Sequence, residues 1–424
     1  MKETKPGRDG GVVLPLAGMA LGATLAAGLL LGATAARAED VTLQFWDNQQ
    51  TESGLSQYQK EAVKRFEAEN PGIKVDVTTV PYPEYQQRLL TAVQGGNAPD
   101  VSTVDQIWQA AFAEAGAIVP LGDRAKSAGM TESQFFKGAW DSANYKGQLW
   151  GIPFNVDVWF FAYTNDALFH AAGVDPASVT TWEGLSAAAP KLTDAAKGKY
   201  AIGLFAHKGE DTVVVMDSFI YSNGGSVLDA NGKCALDQKP AVDALRYMAS
   251  LKPYAPRGIN NAASGDMREL FLNGSLAMEL WPALEQPTLQ KTHLDWDFVT
   301  GFAPQGKTPV GTYGGWNLVI YKQSKHQDAA WKFIHFLTRP DVNGDVVDLI
   351  PANVEAAKTF LQQHRKHPEA IMRHLDNARA RPLSPRYLEV SDIEVKLAQD
   401  VFSGQDPQAA AKTACAAIDQ LASP

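Results

Sequence analysis

Val41-Thr-Leu-Gln-Phe-Trp46, Ile73-Lys-Val-Asp-Val77 and Pro99-Asp-Val-Ser-Thr-Val104 are three short strand-like runs, and what separates them decides the fold. From Gly54 to Glu69 the apolar residues Leu55, Tyr58, Ala62, Val63 and Phe66 recur at helical spacing on one face. Asn70-Pro71-Gly72 stops that helix, because proline cannot continue it and glycine turns the chain without steric cost. Tyr85 to Val93 repeats the helical pattern and is closed by Gly95-Gly96. Strands alternating with helices at this spacing predict βαβ units and a mostly parallel sheet, since parallel neighbours need a long crossover and a helix supplies it.

Outward from this unit the α/β pattern continues after a break. Gly147-Gln-Leu-Trp-Gly-Ile-Pro153 reads as a turn that feeds a short strand into the apolar Val158–Tyr163. Helices are expected from Trp182 and over Asp237–Leu251, and Arg268–Asn273 leads through Gly274 into a strand at Leu276–Leu280. Gly311-Thr-Tyr-Gly-Gly315 precedes the strand Trp316–Tyr321, and a helix follows over Asp328–Leu337. Pro351 marks a further transition, after which the pattern is helical to the end. At about 100–200 residues per domain, 424 residues suggest two or three cores.

The first 38 residues read as a signal peptide and not as part of the fold. Lys2, Lys5 and Arg8 precede an apolar stretch from Val12 to Leu31, and Ala36-Arg37-Ala38 has the small-residue pattern of a cleavage site before Glu39. No cysteine lies near that site to carry a lipid. The chain has 38 basic and 47 acidic residues, a net charge of -9, and no Lys/Arg cluster interleaved with aromatics, which argues against nucleic acid as a partner. Cys234 and Cys415 are the only cysteines. An oxidising compartment permits them one disulfide, but a buried free thiol at Cys415 is equally compatible with its Ala-rich helical surroundings.

Few motifs point to chemistry. Gly301-Phe-Ala-Pro-Gln-Gly306-Lys307-Thr308 has the letters of a phosphate-binding loop, but Pro309 and Gly311 follow at once, so no helix can begin where the phosphates would need one. It is expected to be a surface loop. No G-x-S-x-G or H-E-x-x-H is present. His364, His367 and His374 cluster around Gln363-His-Arg-Lys-His367, but the basic neighbours disfavour a bound cation, and a solvated helix end is expected. What stands out is tryptophan. Trp46, Trp108, Trp281 and Trp316 fall at strand ends near Asp47, Asp105, Asp157 and Glu279. Ligands of open α/β sheets gather at the carboxyl ends of strands, and aromatic faces beside carboxylates suit the ring faces and hydroxyls of a sugar.

The residues Phe66-Glu-Ala-Glu-Asn-Pro-Gly-Ile-Lys-Val75, Ala98-Pro-Asp-Val101, Leu149-Trp-Gly-Ile-Pro153, Tyr163-Thr-Asn165, Phe271-Leu-Asn-Gly-Ser-Leu-Ala-Met278 and Gly314-Gly-Trp-Asn317 occur in this order along the chain. In them the chain resembles the extracellular solute-binding proteins of bacterial ABC carbohydrate importers, family 1, the maltose/trehalose-binding type. The resemblance implies an α/β, two-lobed periplasmic-binding-protein fold with the ligand in the interlobe cleft. It also implies three hinge crossings, near Pro153–Phe154, Thr312–Gly314 and Ile350–Ala352. The N-terminal lobe would comprise 39–153 plus 314–349, and the C-terminal lobe 154–313 plus 350–424.

Carried over by position, the resemblance places ligand contacts at Trp46, Asp47 and Gln49 after the first strand and at Asp105 after the third. Asn155 and Asp157 follow just past the first hinge. Trp281 and Trp316 would stack on ring faces, with Gly314 and Gly315 allowing close backbone approach. Arg386 resembles a C-lobe basic contact, and His207 and Lys208 are further candidates. The function implied is a periplasmic, monomeric protein that closes on a carbohydrate and delivers it to the membrane subunits of an ABC importer, with no catalysis, cofactor or metal. An alternative in the same fold is an anionic ligand, a sulfo-sugar, glycerol phosphate or phosphodiester. A more distant one is a secreted glycosidase using Asp105 and Asp157 as its two carboxylates.

Overall fold

Strand β1 (Val41–Asp47) lies parallel to both β2 (Ile73–Thr79) and β3 (Val101–Asp105), with the helices Ser56–Glu69 and Tyr82–Gln94 as crossovers. The computed structural model describes residues 40–48, 56–347 and 349–421. The expected signal peptide over 1–38, with Gln49 and its neighbours, lies outside the described residues. Of the apolar face expected of the first crossover, Ala62 and Phe66 are buried. Phe66 meets Phe333 edge-on at 5.0 Å, and Phe333 meets Phe45 of β1 at 5.2 Å, so the helix Gln327–Leu337 completes the layer over the strands. Among the described residues no helix is long and apolar enough to cross a membrane.

After the small hairpin of β4 (Asn144–Tyr145) and β5 (Gln148–Leu149), the chain enters β6 (Ile152–Val158) and then a second sheet. That sheet has four strands: β7 (Phe161–Asn165), β8 (Tyr200–Ile202), β9 (Leu276–Trp281) and β10 (Trp296–Val299), in the order β10-β7-β9-β8. The chain then returns through β11 (Thr312–Ile320) to the first sheet, which also gains β12 (Ile350–Pro351) and β13 (Arg379–Ala380). The order in the larger sheet is β12-β6-β11-β3-β1-β2, with β13 beside β11. The two sheets and their covering helices build a two-lobed α/β fold.

The expectation of a mostly parallel sheet is met in the β1–β3 unit and, beyond it, only in the pairings of β8 with β9 and of β11 with β13. β11 runs antiparallel to β3 and to β6, β12 is antiparallel to β6, and the second sheet has two antiparallel pairings, β10 with β7 and β7 with β9. The reason is topological: a strand that leaves a lobe and one that returns to it side by side must run in opposite directions. The expected single strand through Val158–Tyr163 is likewise broken. Phe160 has φ of +83°, a conformation costly for a side chain with a Cβ. It is held there by packing against Phe219 at 4.8 Å and Phe302 at 5.0 Å.

β3 accompanies β11 only from Trp316 onward, so residues 313–315 pair with 156–158 as a ribbon beyond β3, flanked by β13 at Thr312 and Tyr313 and by β12 at Val156. Gly315 in that ribbon has φ of +147°, and a Cβ there would overlap the carbonyl oxygen of Asn155. The glycine therefore serves strand pairing, and it also borders the cleft. Cys234 and Cys415 are joined by a disulfide with a Cα–Cα distance of 5.1 Å, tying the last helix, Pro407–Leu421, back to the loop before the helix Lys239–Ser250. The phosphate-loop lookalike opens no helix, and Lys307 instead donates to the carbonyl and side-chain oxygens of Asn223 at 2.6 and 2.7 Å.

Candidate functional site

The strands of both sheets end at a common cleft of about 1650 Å³. The larger sheet brings Asn48 from the end of β1, Asp105 from the end of β3 and Asp157 from β6, while β11, running the other way, brings Gly314, Gly315 and Trp316. The smaller sheet brings His207 from the loop after β8 and Trp281 from the end of β9. This is the strand-end geometry in which open α/β sheets hold ligands.

Asp105 anchors the arrangement. Its Oδ1 accepts from the Ile107 amide at 3.2 Å and so caps the helix Gln106–Glu114. Burial pushes its pKa up to about 6, against the opposing pull of Arg381 and of that amide. Arg381, itself buried, reaches Asp105 with Nη2 at 3.7 Å and Glu210 with Nη1 at 2.8 Å. Glu210 also accepts from Ser391 Oγ at 2.8 Å and from the Tyr387 hydroxyl. Arg381 thus links a carboxylate of the larger sheet to one that opens the helix Glu210–Ser222 beside the smaller sheet. Asp157 lies on the cleft wall and accepts from the Val158 amide at 2.8 Å.

Aromatic side chains supply the apolar faces. Trp159, just after β6, and Trp281 lie 5.7 Å apart at 46° and both border the cleft. The guanidinium of Arg268 sits 5.5 Å over the Trp281 ring from behind while bonding Glu285 at 2.9 Å, which fixes the indole. On the opposite wall Tyr82, first residue of its helix and 39% exposed, stacks on Trp108 at 6.0 Å and meets Trp316 edge-on at 5.9 Å.

The residues expected from sequence divide. Asp105, Asp157, His207, Trp281, Gly314, Gly315 and Trp316 come together on the cleft, and His207 lies 3.5 Å from Asp211. Trp316 is only 9% exposed and sits in an aromatic core with Tyr85 and Trp108, so it is as much a packing residue as a cleft one. Trp108 itself is buried within a helix and does not border the cleft. Asp47 is fully buried below the floor, where Thr103 Oγ1 donates to it at 3.2 Å. Trp46 packs against the apolar cluster under the cleft, and Asn155 is buried in the ribbon. Gln49 lies outside the described residues.

Arg386 is the clearest correction. It is exposed, pairs with Glu389 three residues on, and is away from the cleft, because it precedes a helix whose first turn holds that glutamate. Lys208 is likewise turned away onto Asp392, at 3.0 Å. The cleft arginine nearest Arg386 in sequence is Arg381, five residues before it and directly after β13, a strand too short to register as a pattern. Tyr82, Trp159 and Glu210 were also missed; each sits at a helix start or in a turn between sheets, where no periodicity marks a side chain. The histidine-rich segment is a solvated helix end at His364, as expected, and with Arg365 and Lys366 it also forms part of the cleft wall.

The profile of the family described as bacterial extracellular solute-binding protein matches residues 48–344. The chain belongs to this family. Among related solute-binding proteins it is 27% identical over 374 residues to a binding protein of Brucella abortus, covering 86% of this chain and 89% of that one. It is 26% identical over 335 residues to the sn-glycerol-3-phosphate-binding periplasmic protein of Escherichia coli, covering 75% and 74%. Its structure is similar to that of an ABC transporter solute-binding protein of Thermotoga lettingae bound with alpha-D-tagatose, with a TM-score of 0.77 and 27% identity over 90% of this chain and 100% of that one. As a solute-binding protein the molecule presents its cleft between lobes joined by extended strands, an architecture built to enclose a ligand.

Proposed function

We propose that this solute-binding protein captures a polyhydroxylated ligand, a sugar or polyol, in the periplasm and delivers it to the membrane subunits of an ABC importer. The observation that carries the reading is the cleft itself: fixed aromatic faces at Trp159, Trp281 and Tyr82 stand beside the carboxylates Asp105 and Asp157 at the strand ends of both sheets. Carboxylates accept hydroxyl hydrogen bonds and aromatic faces cover the C–H faces of the ring. The tagatose complex of the Thermotoga lettingae relative supports the same ligand class.

Closure, not chemistry, is the mechanism we assign. The lobes are 39–153 plus 314–349 and 154–313 plus 350–424. The β6–β11 ribbon, with β12 pairing to it at Val156 and Asn155 and β13 at Thr312 and Tyr313, supports crossings near Pro153–Phe154, Thr312–Gly314 and Ile350–Ala352. A ligand that touches both lobes favours the closed form by its differential affinity for that form. The protein acts as a monomer, without nucleic acid. In a thermal-shift screen of neutral and charged sugars and polyols, at least one should raise the melting temperature, and after prolonged incubation chromatography should recover it unchanged. Cleavage of the ligand, lost in Asp105→Asn, would replace this reading with the glycosidase one.

A further inference from the structure

The charges around the cleft are unevenly paired. Arg381, although its Nε is buried without a hydrogen-bond partner among the described residues, is held between the carboxylates of Asp105 and Glu210, which balance its charge. Arg365 differs. It lines the cleft, its guanidinium lies 5.0 Å over the Phe360 ring, and one Nη donates to the His364 carbonyl at 3.1 Å. Its Nε is buried without a hydrogen-bond partner among the described residues, and the charge of Asp157 acts on it. Beside it Lys366 donates to the Trp296 carbonyl at 2.9 Å and lies 4.1 Å over that indole, again on neutral partners. Lys291 stands on the same cleft.

A largely buried guanidinium stays charged, and leaving it without a paired anion is costly. Aromatic rings and carbonyls offset part of that cost, but a planar fork with open N–H groups is matched best by an oxyanion. We infer that the natural ligand is a polyhydroxylated molecule bearing an oxyanion (carboxylate, phosphate or sulfonate), that Arg365 receives this group, and that its hydroxyls face Asp105 and the aromatic walls. This rests on the proposed function, because it names the class of ligand within that same cleft. Arg386 and Lys208, which the sequence suggested for this task, are engaged elsewhere.

The test compares D-glucose with D-glucuronate, D-glucose 6-phosphate, sn-glycerol 3-phosphate and inorganic phosphate by thermal shift and calorimetry. At least one organic anion should bind roughly ten- to a hundredfold tighter than glucose, the value of one charge-assisted contact. Inorganic phosphate, lacking hydroxyls on a carbon body, should be far weaker, and the preference should shrink in high salt. Arg365→Gln should bring the anion-to-neutral ratio close to one, and Arg386→Gln should leave it as in the wild type. If Arg365→Gln does not fold, Arg365→Lys, which keeps the charge but loses the fork, must lower the ratio, and the wild-type ranking stands as evidence by itself. Binding of glucose as tight as that of every anion would overturn the oxyanion assignment while leaving a sugar-binding function intact. No shift with any probe would count against both.

Discussion

Trp316 and Tyr82 touch each other in one aromatic cluster, yet truncating them should have different consequences. Trp316 is enclosed by Tyr85 and Trp108, so Trp316→Ala opens the core and should lower stability by about 3–5 kcal/mol, seen as a large fall in the melting temperature of the unliganded protein. That reverses the sequence-level view of it as a side chain presented to the cleft alone. Tyr82, 39% exposed, should lose mainly ligand affinity on truncation, with a much smaller change in melting temperature. Asp105 adds a pH dependence. Its pKa is raised by burial from 3.8 to about 6, so it is mostly ionised at neutral pH and loses its charge as pH falls through 6. A charged acceptor for hydroxyls is lost with it, and affinity for a sugar should drop between pH 7 and 5, an effect that calorimetry should find flattened in Asp105→Asn. For stability the sign is opposite: the folded state holds this proton more tightly than the unfolded chain, so its stabilising contribution is complete below pH 4 and disappears as pH rises through 6.

The helices Glu210–Ser222 and Tyr387–Phe402 pack with a carboxyl from each, Asp217 and Glu394, fully buried and in each other's electrostatic field, and neither Glu394 carboxyl oxygen has a hydrogen-bond partner among the described residues. Two buried carboxyl groups that act on one another do not both ionise, so a proton is retained. Burial raises both pKa values, the neighbouring negative charge adding to the effect for Glu394. Stability should therefore decline as pH rises through and above neutrality, when that proton is lost. Glu394→Gln, whose amide can donate without a proton from solvent, should flatten the decline in melting temperature between pH 6 and 9; an unchanged slope would remove this pair from the account. The disulfide acts on the same layer of helices. It spans a sequence separation of 181 residues, for which loop-closure entropy gives about 5 kcal/mol as an ideal value. The double variant Cys234→Ser/Cys415→Ser, or added reductant, should lower the melting temperature without altering the ligand ranking. Sequence could not decide this bond, because the approach of Cys234 to Cys415 depends on how the helix Pro407–Leu421 docks, a tertiary event that no local pattern encodes.

At the scale of the molecule, what was legible in the sequence was what is local. β1 to β3 and their crossovers could be read because each announces its own period, and the resemblance of ordered segments such as Asn70-Pro-Gly-Ile-Lys-Val75 supplied the two-lobed plan. The directions of β6 and β11 and the replacement of Arg386 by Arg381 were not legible, because each depends on where a distant segment returns. The same dependence makes the larger sheet indivisible: β11 lies between β6 and β3 and pairs with both. A fragment ending at Val158 should show no cooperative unfolding by circular dichroism, although it contains most strands of that sheet, and adding residues up to Tyr321 should be needed before one can appear. There is a corollary for biosynthesis. A chain made from its amino terminus has completed β3 and β6 while the strand that belongs between them does not yet exist. The two must wait with their inner edges open while the entire second sheet is translated. The larger sheet, begun first, is thus finished last, and the nascent chain remains without a completed fold, threadable through a narrow pore and dependent on anything that shields bare strand edges, until the ribosome has passed Ile320.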